Sequence, residues 1–250
     1  MRKLRLAQTS AERPASSFPA GPGRALALAL AALLPGAAAE IDGGGWTPEG
    51  AGFTLAADGA IRYSGSGPER ARLVSRDRFT SGVFTLRFSG YRCDNAAPPA
   101  RGLGSVAALG LGLAAENHWV RIERGQIRGR GKGAGSGGYI EVNWVVPEDP
   151  ERIHVNYVES TLASGFLRIR YDGTRVTFFF RASAPDPWTP MQVLSEPGAG
   201  AQAGSAGIPM RWPAAGVPLF LQACPGGTRG DRYTLSFAAD PVEVAPCAPE

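Results

Sequence analysis

The chain has 250 residues, with 26 Lys and Arg against 22 Asp and Glu, and a formal net charge of +4. Residues 1–39 hold five of those bases and one of the acids, so 21 of each sign remain beyond residue 39. The basic balance therefore gives no argument for a nucleic-acid partner, and the length suits one large β domain or two small ones.

The first 39 residues read as an export signal. Arg2, Lys3, Arg5 and Arg24 make a basic front, Ala25 to Leu34 is an apolar run, and Ala37-Ala38-Ala39 fits an A-x-A cleavage site before Glu40. The run is too short for a bilayer, which needs about 20 apolar residues. The expectation is a secreted or periplasmic protein with no transmembrane segment after cleavage. An exported chain can hold a disulfide. Its cysteines are Cys93, Cys224 and Cys247. Cys224 and Cys247 bracket the last hairpin region and are the expected pair, with Cys93–Cys224 as the alternative.

Beyond the leader, Phe53 to Tyr63 predicts two strands around a turn at Asp58-Gly59, and Ala71 to Ser75 another short strand. Val83 to Phe88 alternates, with Phe84, Leu86 and Phe88 inward. Ser105 to Leu113 is nearly all apolar, and its glycines suit a central strand packed closely on a neighbour. Strands follow at 118–124, 139–146, 153–158, 166–171 and 175–181. The glycine-rich basic stretch Gly125 to Gly138 between the first two lacks the spacing of a phosphate-binding loop, and no helical pattern follows it. It reads as a hairpin loop.

The clearest passage is Gly165 to Arg181. Leu167, Ile169 and Tyr171 alternate with Arg168 and Arg170, and Val176, Phe178 and Phe180 with Thr177, Phe179 and Arg181. Asp172-Gly173 supplies the positive φ of a tight hairpin turn. A loop over Ser195 to Ala215 and strands at 217–223 and 232–238 close the chain. Many short strands without a helical period predict an all-β, two-sheet antiparallel sandwich of jelly-roll type, one domain over about residues 41–245.

Three passages carry a resemblance. Ser75 to Phe88, Glu116 to Gly125 and Phe166 to Arg181 resemble strand pairs of the concanavalin A-like lectin/glucanase superfamily, nearest its exported bacterial DUF1349-like and laminin G-like groups. The resemblance implies a sheet face that binds glycans, sometimes with calcium. The laminarinase-like branch of that superfamily carries three carboxylates at alternate positions of one strand, which period two places on one face. Here that strand reads Tyr139-Ile-Glu-Val-Asn-Trp144, with Glu141 alone and Asn143 where the aspartate would fall. A retaining glycosidase of that type is not expected, and no catalytic residues are assigned.

If the five successive strands form one sheet, Val120, Ile122, Ile140, Val142, Trp144, Ile153, Val155, Leu167 and Ile169 face the core. The other face shows Trp119, Arg121, Glu123, Tyr139, Glu141, Asn143, His154, Asn156, Arg168 and Arg170. Of these, Trp119, Arg121, Glu141, Asn143, His154, Asn156, Arg168 and Arg170 are the candidate ligand-binding set. Rings stack on sugar C–H faces, and planar polar groups bind hydroxyls. The competing reading is a wet sheet face laced with cross-strand ion pairs. His118 and His154 lack the spacing of a zinc site. The functional expectation is a carbohydrate-binding protein without catalysis, taking a glycan or polysaccharide. An envelope protein-interaction domain and a glycoside hydrolase of unfamiliar mechanism are the alternatives.

Overall fold

The computed structural model describes residues 39–41, 45–56, 59–66, 70–95, 105–128, 136–193, 207–225 and 233–247. Residues 1–38 of the expected leader, the Asp58 side of the first turn and residues 195–206 of the late loop lie outside them. The described strands are β1 (Ala39–Ile41), β2 (Trp46–Glu49), β3 (Phe53–Leu55), β4 (Ile61–Ser66), β5 (Ala71–Phe79), β6 (Gly82–Asn95), β7 (Ser105–Ala114), β8 (Trp119–Arg128), β9 (Ser136–Val146), β10 (Asp149–Glu159), β11 (Gly165–Tyr171), β12 (Arg175–Arg181), β13 (Thr189–Pro190), β14 (Ile208–Pro209), β15 (Val217–Cys224), β16 (Tyr233–Ala239) and β17 (Val242–Ala245). They form two antiparallel sheets, as the alternation predicts. The seven-stranded sheet has the order β10-β9-β8-β7-β15-β5-β2. The ten-stranded sheet runs β13-β12-β11-β6-β16-β4-β3, with β17 beside β6, β1 beside β17 and β14 beside β12.

The two inner faces make the core. Leu109, Leu111, Leu113, Val120, Ile122, Ile140, Val142, Leu219 and Leu221 line the seven-stranded sheet. Phe84, Leu86, Phe88, Leu167, Ile169, Val176 and Phe178 line the other. Each such side chain contributes about 1.5–3 kcal/mol on burial. The rim ion pairs Arg87–Asp240 and Arg92–Asp94 are exposed, and such pairs contribute about 0–1 kcal/mol each. Apolar burial, not charge pairing, joins the sheets. Trp46 and Trp144 are buried in this core.

The hairpin at 165–181 forms with Leu167 opposite Phe180 and Ile169 opposite Phe178. Its turn differs in detail from the expectation. Within the turn only Gly173 takes a positive φ, 99°, and no non-glycine residue does among the described residues. Asp172 instead acts as an acceptor. Its Oδ1 takes hydrogen bonds from Thr174 N, Thr174 Oγ1 and Arg175 N, each 2.8 Å. Such side-chain bonds to the local backbone are why aspartate favours turns.

Two expectations about faces are corrected. First, the five successive strands do not share a sheet. β8, β9 and β10 belong to the seven-stranded sheet, whereas β11 pairs with β6 and β12 in the other. The chain crosses between sheets at residues 160–164. Ser160 N donates to Gly138 O at 2.8 Å on one side, and Tyr91 N donates to Ala163 O at 2.8 Å on the other. Buried Arg124 clamps the crossing, donating from Nε to Leu162 O at 2.7 Å, with its guanidinium 4.5 Å from the Tyr91 ring centre.

Second, β10 is reversed. The β9–β10 register shifts by three residues between the Asp149–Val146 and His154–Trp144 pairs. An odd shift exchanges the two faces of a strand. Ile153 and Val155, expected in the core, are 51% and 50% exposed. The expected disulfide is also absent. No disulfide joins Cys93, Cys224 or Cys247. Cys224 ends β15 in the seven-stranded sheet, while the Cys247 Sγ lies 3.2 Å from Arg170 Nε on the other.

Candidate functional site

The outer face of the seven-stranded sheet carries the densest polar array. Cross-strand register lays out two rows. Arg72, Gln222, Gly110, Glu123, Glu141 and Tyr157 stand opposite one another in turn across β5, β15, β7, β8, β9 and β10. The neighbouring row is Val74, Phe220, Gly112, Arg121, Asn143 and Val155.

Glycines on β7 explain why these side chains lie flat. A Cβ on Gly110 would come within 2.7 Å of the Arg121 Cδ, and one on Gly112 would strike the Phe220 ring and come within 2.6 Å of Val120 O. The two glycines that suggested a closely packed central strand thus make space for an outer layer of side chains.

Within that layer Arg121 Nε approaches Glu123 Oε2 to 2.7 Å, although its N–H is not aligned on the oxygen. The Tyr139 hydroxyl donates to Glu123 Oε1 at 3.2 Å. Arg121 also stacks over the half-buried Trp119, 5.3 Å from the ring centre. Arg72 Nε donates to Gln222 Oε1 at 3.0 Å and its guanidinium lies 5.1 Å from the Phe220 ring centre.

Glu141 stands directly across from Glu123. Burial and the Glu123 charge push its carboxyl up to about 7, against the opposing pull of Asn143 and Arg121. Burial, then the charges of Glu123 and Glu141, raise the Tyr139 phenol far above its ordinary value. Asn143 is 3% exposed, and its amide nitrogen has no aligned acceptor. Buried donors are nearly always satisfied, so an orphan of this kind needs an explanation.

Of the candidate set, Trp119, Arg121, Glu141 and Asn143 come together here, with Glu123 and Tyr139 on the same face as expected. His154 and Asn156 do not. The shifted register turns them to the core side, where His154 stacks on Trp144 with ring centres 5.3 Å apart and Asn156 Nδ2 donates to Gln192 O. Arg168 and Arg170 lie on the outer face of the other sheet. Tyr157 and Val155 take the vacated places beside Glu141 and Asn143. Sequence reasoning missed them because it put 153 and 155 inward and assigned 157 to neither face. It also missed Phe220 and Gln222, whose run Val217 to Ala223 reads as almost wholly apolar.

A separate open groove of about 580 Å³ lies on the ten-stranded sheet, lined by Thr54, Arg62, Tyr63, Ser64, Ser89 and Ser236 among others. It contains none of the residues above. We place the candidate site by the convergence of perturbed and unpartnered polar groups rather than by volume.

No family model matches the chain, and no curated protein matches it. Solved structures do. A protein of unknown function from Saccharomyces cerevisiae superposes with TM-score 0.54 at 9% identity, covering 82% of this chain and 98% of its own. The GH43 protein BlXynB from Bacillus licheniformis superposes with TM-score 0.51 at 12% identity, over 84% of this chain. The chain spans 38% of that protein's length. The transglycosylase Crh5, in complex with NAG, superposes with TM-score 0.50 at 12% identity, covering 85% and 84%. The fold is a concanavalin A-like jelly roll. At these identities the likeness concerns the jelly roll itself, and a shared jelly roll does not carry activity from one chain to another.

Proposed function

We propose that this jelly roll is an exported carbohydrate-binding protein, and that the outer face of its seven-stranded sheet receives the sugar. The observation that carries the reading is Asn143. Its buried amide nitrogen has the Glu141 carboxylate as a neighbour but no well-aligned hydrogen bond, and it sits between Arg121 and exposed Val155. A sugar hydroxyl supplies a better-aligned acceptor and takes hydrogen bonds from the neighbouring guanidinium. Half-buried Trp119 and exposed Tyr157 supply flat apolar surface at the edges of the array. One fold neighbour, the transglycosylase Crh5, is itself in complex with NAG. Export rests on the leader pattern at residues 1–39.

The reading is of binding without catalysis. The β9 positions 141, 143 and 145 hold Glu, Asn and Val, so the strand lacks the alternate carboxylates of the laminarinase-like branch. Glu123, the facing acid, is buried against Arg121 and Tyr139.

A glycan array of the protein without residues 1–39 tests the proposal. Binding to a defined set of neutral oligosaccharides is expected, with about a tenfold loss in Asn143→Ala and in Trp119→Ala, as expected when a buried hydrogen bond or a stacked ring is removed. No glycan binding in the wild type, or binding indifferent to both substitutions, refutes it. Hydrolysis has one observation in its favour, the raised Glu141 carboxyl facing Glu123. Release of reducing ends from a bound polysaccharide, abolished in Glu141→Gln, would replace binding with cleavage.

A further inference from the structure

Arg168 lies outside the candidate site, and its surroundings on the ten-stranded sheet are unusual. Register places Arg87, Phe166 and Arg181 opposite one another across β6, β11 and β12. The next row holds Glu243, Thr85, Arg168 and Phe179 across β17, β6, β11 and β12. Trp188, in the segment after β12, is wedged against the arginines. The guanidinium carbon of Arg168 lies 3.8 Å from its ring centre and that of Arg181 lies 4.3 Å away. The two cations are therefore no more than about 8 Å apart.

Glu243 offsets part of the Arg168 charge at a distance, but neither cation has an ion-pair partner among the described residues. The Arg87 ion pair goes to Asp240. Arg168 spends its Nε proton on Thr85 Oγ1 at 3.0 Å. Arg181 donates from Nη1 to Ala184 O at 2.5 Å, and its Nε has no acceptor. Like charges repel, and Arg181 adds to burial in making the Arg168 cation harder to hold. The aromatic layer fixes both guanidiniums in place at a cost in electrostatic energy that a bound anion would relieve. Planar guanidinium forks match a carboxylate in shape as well as charge.

The face is bounded by acids, Asp240 beside Arg87 and Glu243 across Thr85 from Arg168. Between these acids the two cations can hold one oxyanion at a time. We propose that Arg168 and Arg181, held by Trp188, bind one carboxylate of a uronic-acid-bearing saccharide. This site is distinct from the Asn143 face and lies on the other sheet. The oxyanion site stands on the geometry above, while the saccharide part of the ligand rests on the carbohydrate reading.

The test is titration calorimetry of the protein without residues 1–39, with tetragalacturonate as probe and cellotetraose as the neutral control, at low and high salt. Tetragalacturonate is expected to bind, more weakly as salt rises. Arg168→Gln and Arg181→Gln should each lower its affinity at least about tenfold, as loss of a charge-assisted hydrogen bond does. Arg76→Gln, at an exposed arginine of β5 in the other sheet, should leave it unchanged. Arg168→Lys keeps the charge and loses the fork, so full affinity in that variant would overturn the site. So would an absence of tetragalacturonate binding, or a preference for a single-stranded oligonucleotide over tetragalacturonate. Binding lost in Asn143→Ala but kept in Arg168→Gln and Arg181→Gln would sink this inference and leave the carbohydrate reading standing. Thermal unfolding of each variant establishes that it is folded, and the Arg168 and Arg181 substitutions lie on different strands, so one misfolded variant leaves the other to decide.

Discussion

Replacing Glu141 by Gln tests the electrostatics of the candidate face most directly. The change keeps the size of the side chain and removes its charge. Folded Glu141 holds its proton to about pH 7 rather than 4.5, because of burial and the facing Glu123. In the unfolded chain it ionises at the ordinary value. The destabilisation is therefore absent below about pH 4.5, grows as pH rises, and is complete above about pH 7. At about 1.4 kcal/mol per pH unit the upper limit is on the order of 3 kcal/mol. The side chain is partly exposed and can turn toward water, so the expected gain for Glu141→Gln is about 1–3 kcal/mol at pH 8 and near zero at pH 5. Urea unfolding of both proteins at several pH values between these limits measures it. Titrating groups away from this face are common to both and cancel in the difference. A stability difference that is flat across the range, or a Gln variant that loses stability as pH rises, would refute the buried-pair reading.

Two further substitutions probe the fold around the face. Gly112→Ala puts a methyl against the Phe220 ring and within 2.6 Å of the Val120 carbonyl oxygen. Backbone cannot give way as a side chain can, so a loss of about 1–3 kcal/mol is expected by chemical denaturation, and a neutral result would mean that β7 and β8 are farther apart than described. Ile153→Thr tests the reversal of β10. At 51% exposure it should change stability by less than about 0.5 kcal/mol, whereas a core isoleucine at that position would cost several times more.

The alternation along β8, β9, β11 and β12 already tells which side chains share a face within each strand. Trp119, Arg121 and Glu123 stay together, as do Glu141 and Asn143, because a period of two is a property of the extended backbone itself. The sandwich was legible for the same reason, together with the turn residues between strands. The glycines of β7 also announced a close approach, although not that the approaching groups would be Arg121 and Phe220 on the outer side.

Which sheet a strand joins is decided by its hydrogen-bonding partner, and that partner can be far away in sequence. β11 follows β10 by only a short crossing yet pairs with β6, so Arg168 and Arg170 leave the Asn143 face for the other side of the molecule. A three-residue register shift, invisible in the run Ile153 to Val158, trades His154 and Asn156 for Val155 and Tyr157. The chain alone thus determines a jelly roll with polar and apolar strand faces. Only the tertiary pairing divides those polar residues into two faces, one built around Glu141 and Asn143 and the other around Arg168, Arg181 and Trp188. The reason is physical: pleating is local, whereas strand partners and register are settled by contacts across the whole chain.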